Sequence, residues 1–192
     1  IGHLQNVSRY IVKENLTDKW FDILSMLIKK SNYHIGYMLD QRANRYGDDI
    51  AINLVNEGKI KSLSYFTLWS LISEVGCSLS VLEQDQKKPV IGILSHNQLN
   101  CILVDLACLA FGFKIVPIPV NATSEHVSFI LKHSEVTHLF LGGKKGNDIW
   151  SDIIDRSFIK TIAMDEKIKI DESINWEQFL ELGDKSVTFN VD

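Results

Sequence analysis

Proline and cysteine are scarce in this chain, with three of each in 192 residues, and no apolar run is long enough to cross a bilayer. Cys77, Cys101 and Cys108 are an odd number at no metal-ligand spacing. That argues against a disulfide framework and for buried thiols in a reducing compartment. The most apolar stretch, 101–113, carries Asp105 and stops at Lys114, so it is too short and too interrupted for a transmembrane helix. No block of five like charges occurs and the net charge is −4. The clustered basic surface that nucleic acid demands is therefore missing, and nucleic acid is excluded as a partner. There is no internal repeat and no low-complexity segment. The opening IGHLQNVSRY is too polar for a signal peptide. Because Ile1 is not an initiator methionine, the expectation is a trimmed or incomplete N-terminus. These readings place the chain in the cytoplasm, free or at a membrane surface.

What is present is enough for a core. The chain is 45% hydrophobic and 23% charged, the balance of a globular domain. Thr17 to Lys30 reads as a helix with Thr17 as its cap and Trp20, Ile23, Leu24, Leu27 and Ile28 on one stripe. Residues 1–34 are accordingly read as a helical N-terminal segment. A second helix is expected over Ile35 to Arg45, ending near Gly47. Ala51 to Val55 and Lys59 to Leu63 then form a hairpin about Asn56-Glu57-Gly58. Ser64 opens a helix whose Leu68, Ile72, Val75, Leu79 and Leu82 share a face. Beyond the polar break 83–89, short apolar strands alternate with helices: strand 90–94, helix 98–111, strand 114–118, helix 124–133, strand 138–141, helix 147–155, strand 160–164, and a last helix over 176–182. That alternation predicts an α/β fold, a mostly parallel sheet with helices on both faces, over 35–192.

Several pieces carry a family pattern. LSYFTL, Leu63 to Leu68, is a strand end followed by a hydroxyl N-cap. Thr67 stands where a glutamate would complete a capping box. LAFGFKIVPI, Leu109 to Ile118, is a helix running to Gly112 and then a strand closing on Val-Pro. DLACLA from Asp105, SEHVSFILKHSEV from Ser124 and RANRYGDDIAI from Arg42 extend the match. In order and spacing these pieces resemble the adenylate-forming enzymes, and among them the AMP-forming long-chain fatty acid–CoA ligases. The usual Gly-Asp before the Val90 strand is absent, and Gln86-Lys87-Lys88-Pro89 stands there.

The resemblance implies the N-terminal subdomain of an acyl-CoA synthetase-like fold, from a parent enzyme using ATP, Mg and CoA on a fatty acid. The family's phosphate loop, of the form YTSGTTGxPKG, occurs nowhere in residues 1–192. The chain is thus expected to be inactive alone, with no catalytic, cofactor-binding or metal residue assigned and no cofactor bound. Its expected partner is the remainder of the same enzyme, and a homo-oligomer stays open. The alternative reading is a stand-alone α/β module that binds a nucleotide or a protein without catalysis.

Four features of the sequence are candidates for chemistry. Gly142-Gly143-Lys144-Lys145-Gly146 follows a strand and could cradle phosphate with backbone N–H groups. It matches neither GxxxxGK[ST] nor GxGxxG, so it reads as a solvated turn. His126, His133 and His138 lack a carboxylate or thiol at metal spacing, and read as surface or half-buried residues. Cys101 and Cys108 lie seven apart on an apolar helix and read as core. His96-Asn97 follows a parallel strand, where ligands of such sheets gather, and Asn97 is expected to tie the strand-to-helix turn.

Overall fold

The protein is described by a computed structural model covering residues 2–31, 34–56, 58–83, 87–143, 159–166, 168 and 172–183. It divides into two compact units, Ile1–His34 and Ile35–Asp192.

The first unit holds α1 (Gly2–Lys13) and α2 (Trp20–Ser31). The sequence reading of 1–34 as a helical segment gave bounds only for the helix from Thr17; α1 is a separate helix before it. Its Val7 and Ile11 meet Trp20 and Leu24 of α2 along an apolar groove, the amphipathic logic of paired short helices. The start of α2 differs from expectation. The Lys19 amide bonds the Leu16 carbonyl, and Ile23 N–H bonds Lys19 C=O. Thr17 is therefore inside a turn, and the helix begins at Trp20.

In the second unit α3 (Ile35–Tyr46) leads to an antiparallel ribbon, β1 (Ile50–Asn56) and β2 (Lys59–Ser64). Gly58 sits in the turn at φ 76°, a conformation glycine adopts without penalty. Ser64 caps α4 (Tyr65–Val81) by accepting from the Thr67 amide at 3.2 Å. The Thr67 hydroxyl lies 3.0 Å from the Ser64 hydroxyl, so the capping box is half-built.

Then come β3 (Val90–Ser95), α5 (Leu99–Phe111), β4 (Lys114–Pro117), α6 (Ser124–His133), β5 (His138–Gly142), β6 (Lys160–Ala163), β7 (Ile174–Asn175) and α7 (Trp176–Glu181). The five strands pair in parallel in the order β4-β3-β5-β6-β7. Pro117, which has no N–H to give, closes the edge strand β4. Gly112 ends α5 in the left-handed region at φ 70°. The Lys88 ammonium donates to the Phe111 carbonyl at 2.8 Å, satisfying a carbonyl at that helix end. Two-residue β7 was not predicted, being too short to show a period. The expected helix over 147–155 and most of the loop after Gly143 lie outside the described residues.

Alternation along the strands splits the core in two. Ile91, Ile93, Phe140 and Ile162 pack with Leu39, Ile72, Val75, Leu79, Val104, Cys108 and Phe179. Leu94, Leu139 and Leu141 turn the other way, onto Val127 and Leu131 of α6. Helices thus cover both faces of the sheet, as predicted. Phe140 and Phe179 are fully buried and meet edge-to-face at 5.1 Å. Each contributes roughly 1.5–3 kcal/mol by burial. On the same side Gly76 of α4 sits against the Phe111 ring of α5, leaving no room for a Cβ.

Candidate functional site

An open parallel sheet gathers ligands at the carboxyl ends of its strands, where the strand order reverses. Here the reversal lies at β3, which has β4 on one side and β5 on the other. The residues at that point are Ser95 and His96 after β3, Gly142 and Gly143 after β5, and Asp165 just beyond β6.

These residues bond one another. The Gln98 side-chain amide donates to the Ser95 hydroxyl at 2.9 Å and to the Asp165 carboxylate at 3.3 Å. The Gly143 amide donates to the same carboxylate oxygen at 2.6 Å. The Ser95 hydroxyl donates to the His96 carbonyl, and the Asn100 amide group donates to the Met164 carbonyl at 2.9 Å. Three strand ends are therefore stitched together by side chains. Space is equally committed: a Cβ on Gly142 would run into the Gln98 amide, and one on Gly143 would lie 2.6 Å from the His96 ring. The crevice is filled by the protein's own groups.

Two hollows flank the filled crevice. One, of about 460 Å³, lies at the ends of β6 and β7 and is lined by Asn100, Met164, Asp165, Glu166, Trp176 and Gln178. The other, of about 970 Å³, lies between the ribbon and the start of α5, lined by Ile52, Leu54, Lys61, Asn97, Leu99 and others.

The structure sorts the residues singled out from sequence. His96 and Gly142-Gly143 meet at the switch point; Lys144, Lys145 and Gly146 lie outside the described residues. Among the described hydrogen bonds the turn after β3 is tied by Gln98, not Asn97. The amide one residue later is the one that lies against Gly142 of β5, while Asn97 is exposed and lines the second hollow. His126 and His133 are exposed on α6, with the Phe129 ring stacked on His133 at 5.2 Å. His138 corrects the expectation of a surface or half-buried ring: it is 5% exposed, at the opposite end of the sheet. Its Nδ1 lies 3.0 Å from the Thr137 hydroxyl, and its Nε2 has no hydrogen-bond partner. Burial, and then the charge of Lys160 beside it in the β5–β6 register, pull its pKa down to about 4. Cys108 is fully buried in the larger core, and burial with nearby Asp105 pushes its thiol up to about 12. Cys101 packs at the margin of that core, its pKa raised by the same causes. Neither thiol is a ready nucleophile. Asp165, Gln98 and Asn100 were missed from sequence. The signal for Asp165 was its place, a carboxylate one residue past an apolar strand.

The sequence model of the AMP-binding enzyme family matches residues 39–185. Long chain acyl-CoA synthetase 4 of Arabidopsis thaliana is 26% identical over 179 residues, 87% of this chain and 25% of that protein. The chain thus spans about a quarter of that relative's length. Coronafacic acid ligase from Pectobacterium brasiliense has the same fold, with TM-score 0.67 and 22% identity over 82% of this chain and 31% of its own. So does O-succinylbenzoate coenzyme A synthetase from Bacillus subtilis, solved with AMP, at TM-score 0.59 and 15% identity over 80% of this chain and 34% of its own. With well over half of its residues inside the family's sequence pattern, and the parallel sheet in place, the chain belongs to the AMP-binding enzyme family.

Proposed function

We propose that this chain is the N-terminal part of an AMP-forming acyl-CoA synthetase, which converts a long-chain fatty acid, ATP and CoA into acyl-CoA, AMP and pyrophosphate. The observation that carries this reading is the family match over 39–185, joined to the 26% identity with a plant long chain acyl-CoA synthetase. Family membership implies ATP as the source of AMP. Mg, CoA, the long acyl chain and a cytoplasmic or membrane-surface location are part of the proposal. Among the described residues no helix is long and apolar enough to cross a membrane.

The described residues do not fit ATP at the switch point. Gln98 and Asp165 bond each other there, and Ser95 and the Gly143 amide with them, so these polar groups are already committed to one another. The proposal assigns no catalytic, cofactor-binding or metal residue and derives no step of the reaction from these side chains. In this reading residues 35–192 form a scaffold subdomain whose sheet supports a nucleotide site supplied by other parts of the enzyme.

Fatty-acid-dependent exchange of pyrophosphate into ATP tests the proposal. The 192-residue chain should give no exchange above blank, while a polypeptide extending past Asp192 should exchange with palmitate and poorly with benzoate. Exchange by the short chain alone would overturn the fragment reading. Preference of the longer polypeptide for an aromatic acid would overturn the substrate.

A further inference from the structure

Residues 1–34 carry a charge opposite to that of the rest of the chain. They hold five basic side chains (Arg9, Lys13, Lys19, Lys29 and Lys30) and three acidic ones (Glu14, Asp18 and Asp22), a net of +2. The whole chain has 20 basic and 24 acidic residues, so 35–192 hold 15 and 21 and carry −6. Such an asymmetry points to a charged partner surface. The same unit shows an apolar face. Trp20, Leu24 and Ile28 recur every four residues along α2, and Phe21 stands beside them, so all four fall on one side of the helix. Trp20 and Phe21 meet edge-to-face at 6.0 Å. The row from Trp20 to Ile28 is unbroken by a polar residue. Val12 of α1 lines one groove with Trp20 and Leu24, and the only polar residues lining it are Ser8 and Thr17. Val12 is 69% exposed, Phe21 66%, Ile28 57% and Trp20 50%. A contiguous apolar face of this kind marks an interaction site. Lys29 and Lys30 are exposed in the last turn of α2, and helical spacing places them on either side of the row.

We propose that α1 and α2 form an interfacial hairpin that lays Trp20, Phe21, Leu24 and Ile28, with Val12, into the surface of an anionic phospholipid bilayer, Lys29 and Lys30 reaching its headgroups. Chemistry selects the occupant. An aromatic and aliphatic row flanked by lysines, on a segment of net positive charge, is what an in-plane helix presents to anionic lipid. Tryptophan suits the headgroup level, where its ring is apolar and its N–H finds a partner. Lysine stems lie along apolar surface while their ammonium groups reach outward to phosphate. Residues 1–34 also stand ahead of 39–185, the stretch that the family pattern matches, so the hairpin is an addition to the ligase frame. The assignment deepens the membrane-surface location of the proposed function and rests on that reading, in which the substrate is a long-chain fatty acid that dissolves in a bilayer rather than in water.

The test is flotation of the 192-residue chain with vesicles of mixed phosphatidylcholine and phosphatidylglycerol, and with vesicles of phosphatidylcholine alone, without ATP or CoA. The chain should float with the anionic vesicles. Phe21→Ser plus Ile28→Ser should weaken that binding about tenfold or more. Lys29→Ala plus Lys30→Ala should weaken it about fivefold or more on anionic vesicles and leave the neutral ones unchanged. Tryptophan emission should shift to the blue on adding anionic vesicles, and Trp20→Phe should remove the shift. Failure to float with anionic vesicles, equal flotation with both kinds, or equal flotation of the serine pair would overturn the assignment. If the serine pair lowers the Tm of the lipid-free chain by several degrees, the face packs on protein within the chain. If the chain sediments as a dimer that the serine pair dissolves, the face packs on a second copy; either result overturns the bilayer as occupant. A longer polypeptide with ligase activity that stays off anionic vesicles rejects the hairpin and leaves the reaction standing. Vesicle binding by a longer polypeptide without ligase activity does the reverse.

Discussion

The two ends of the parallel sheet treat buried polarity in opposite ways. At the carboxyl end Ser95, Gln98 and Asp165 complete one another's hydrogen bonds and draw in the Gly143 amide. At the amino end His138 is buried with only one of its two nitrogens partnered. A finished polar network locks a structure, whereas an unfinished one makes it sensitive to whatever changes the charge of the odd group. The carboxyl end should therefore respond to loss of any one partner. The amino end should respond to acid first.

The largest expected effect is that acid response. The Thr137 hydroxyl lies 3.2 Å from the Val90 carbonyl, to which it donates, so His138 Nδ1 carries the hydrogen it offers to Thr137 and Nε2 is bare. Protonation adds an Nε2–H with no acceptor, next to Lys160. The folded pKa, about 4, lies below the ordinary 6.5. The unfolded chain then binds the extra proton between those values. Stability is whole above pH 6.5, falls as pH drops toward 4, and is lost by about 3 kcal/mol in full. Urea unfolding from pH 7.5 to 4 checks this. In His138→Phe the part of the slope between pH 6.5 and 4 should flatten. An unchanged slope would erase the contrast between the two ends.

Next in size is Asp165→Ala, which removes the acceptor for the Gly143 amide and the Gln98 side chain. Loss of two charge-assisted hydrogen bonds at a half-buried site should cost about 2 kcal/mol. Asp165→Asn, which keeps an oxygen, should cost about half of that. Chemical denaturation of both variants at pH 7.5 measures the difference. Identical costs would mean that the carboxylate's charge is irrelevant and that the carboxyl end is held by packing alone.

The smallest effect sharpens the amino end. Thr137→Val removes the hydroxyl that accepts from the Val90 amide at 3.1 Å and partners His138. Thr137 is exposed, so water replaces much of what is lost, and the cost should be about 0.5–1 kcal/mol. The protonated ring loses its remaining acceptor, so the His138 titration should move further down, as ring-proton NMR shifts would report.

The sequence made the layered frame legible because strands this short and apolar, separated by helices of period 3.6, have few other solutions. Ser64 as a cap and Gly112 as a left-handed stop were visible because each role needs that residue type locally. The switch-point network was not visible. Gln98 and Asp165 are 67 positions apart, and no local period says that their side chains meet. His138 misled for a related reason: a histidine heading a strand is ordinarily wet, and only the pairing of β3 and β6 on either side buries it. Thr17 is not the cap because it lies inside the turn closed by the Lys19 amide on the Leu16 carbonyl, and α2 begins only at Trp20.

The close seat of Phe111 on Gly76 has a consequence for how this chain tolerates change over generations. Any side chain at 76 collides with the ring, and any smaller residue at 111 leaves a hole beside a bare helix. Neither position drifts freely by itself, yet a paired exchange, a methyl gained at 76 with a ring lost at 111, passes between two packed solutions. The two residues belong to different helices separated by β3, so a crossover between related genes anywhere in 77–110 splits the pair. Recombinants built by shuffling this subdomain should survive far better when 76 and 111 come from the same parent.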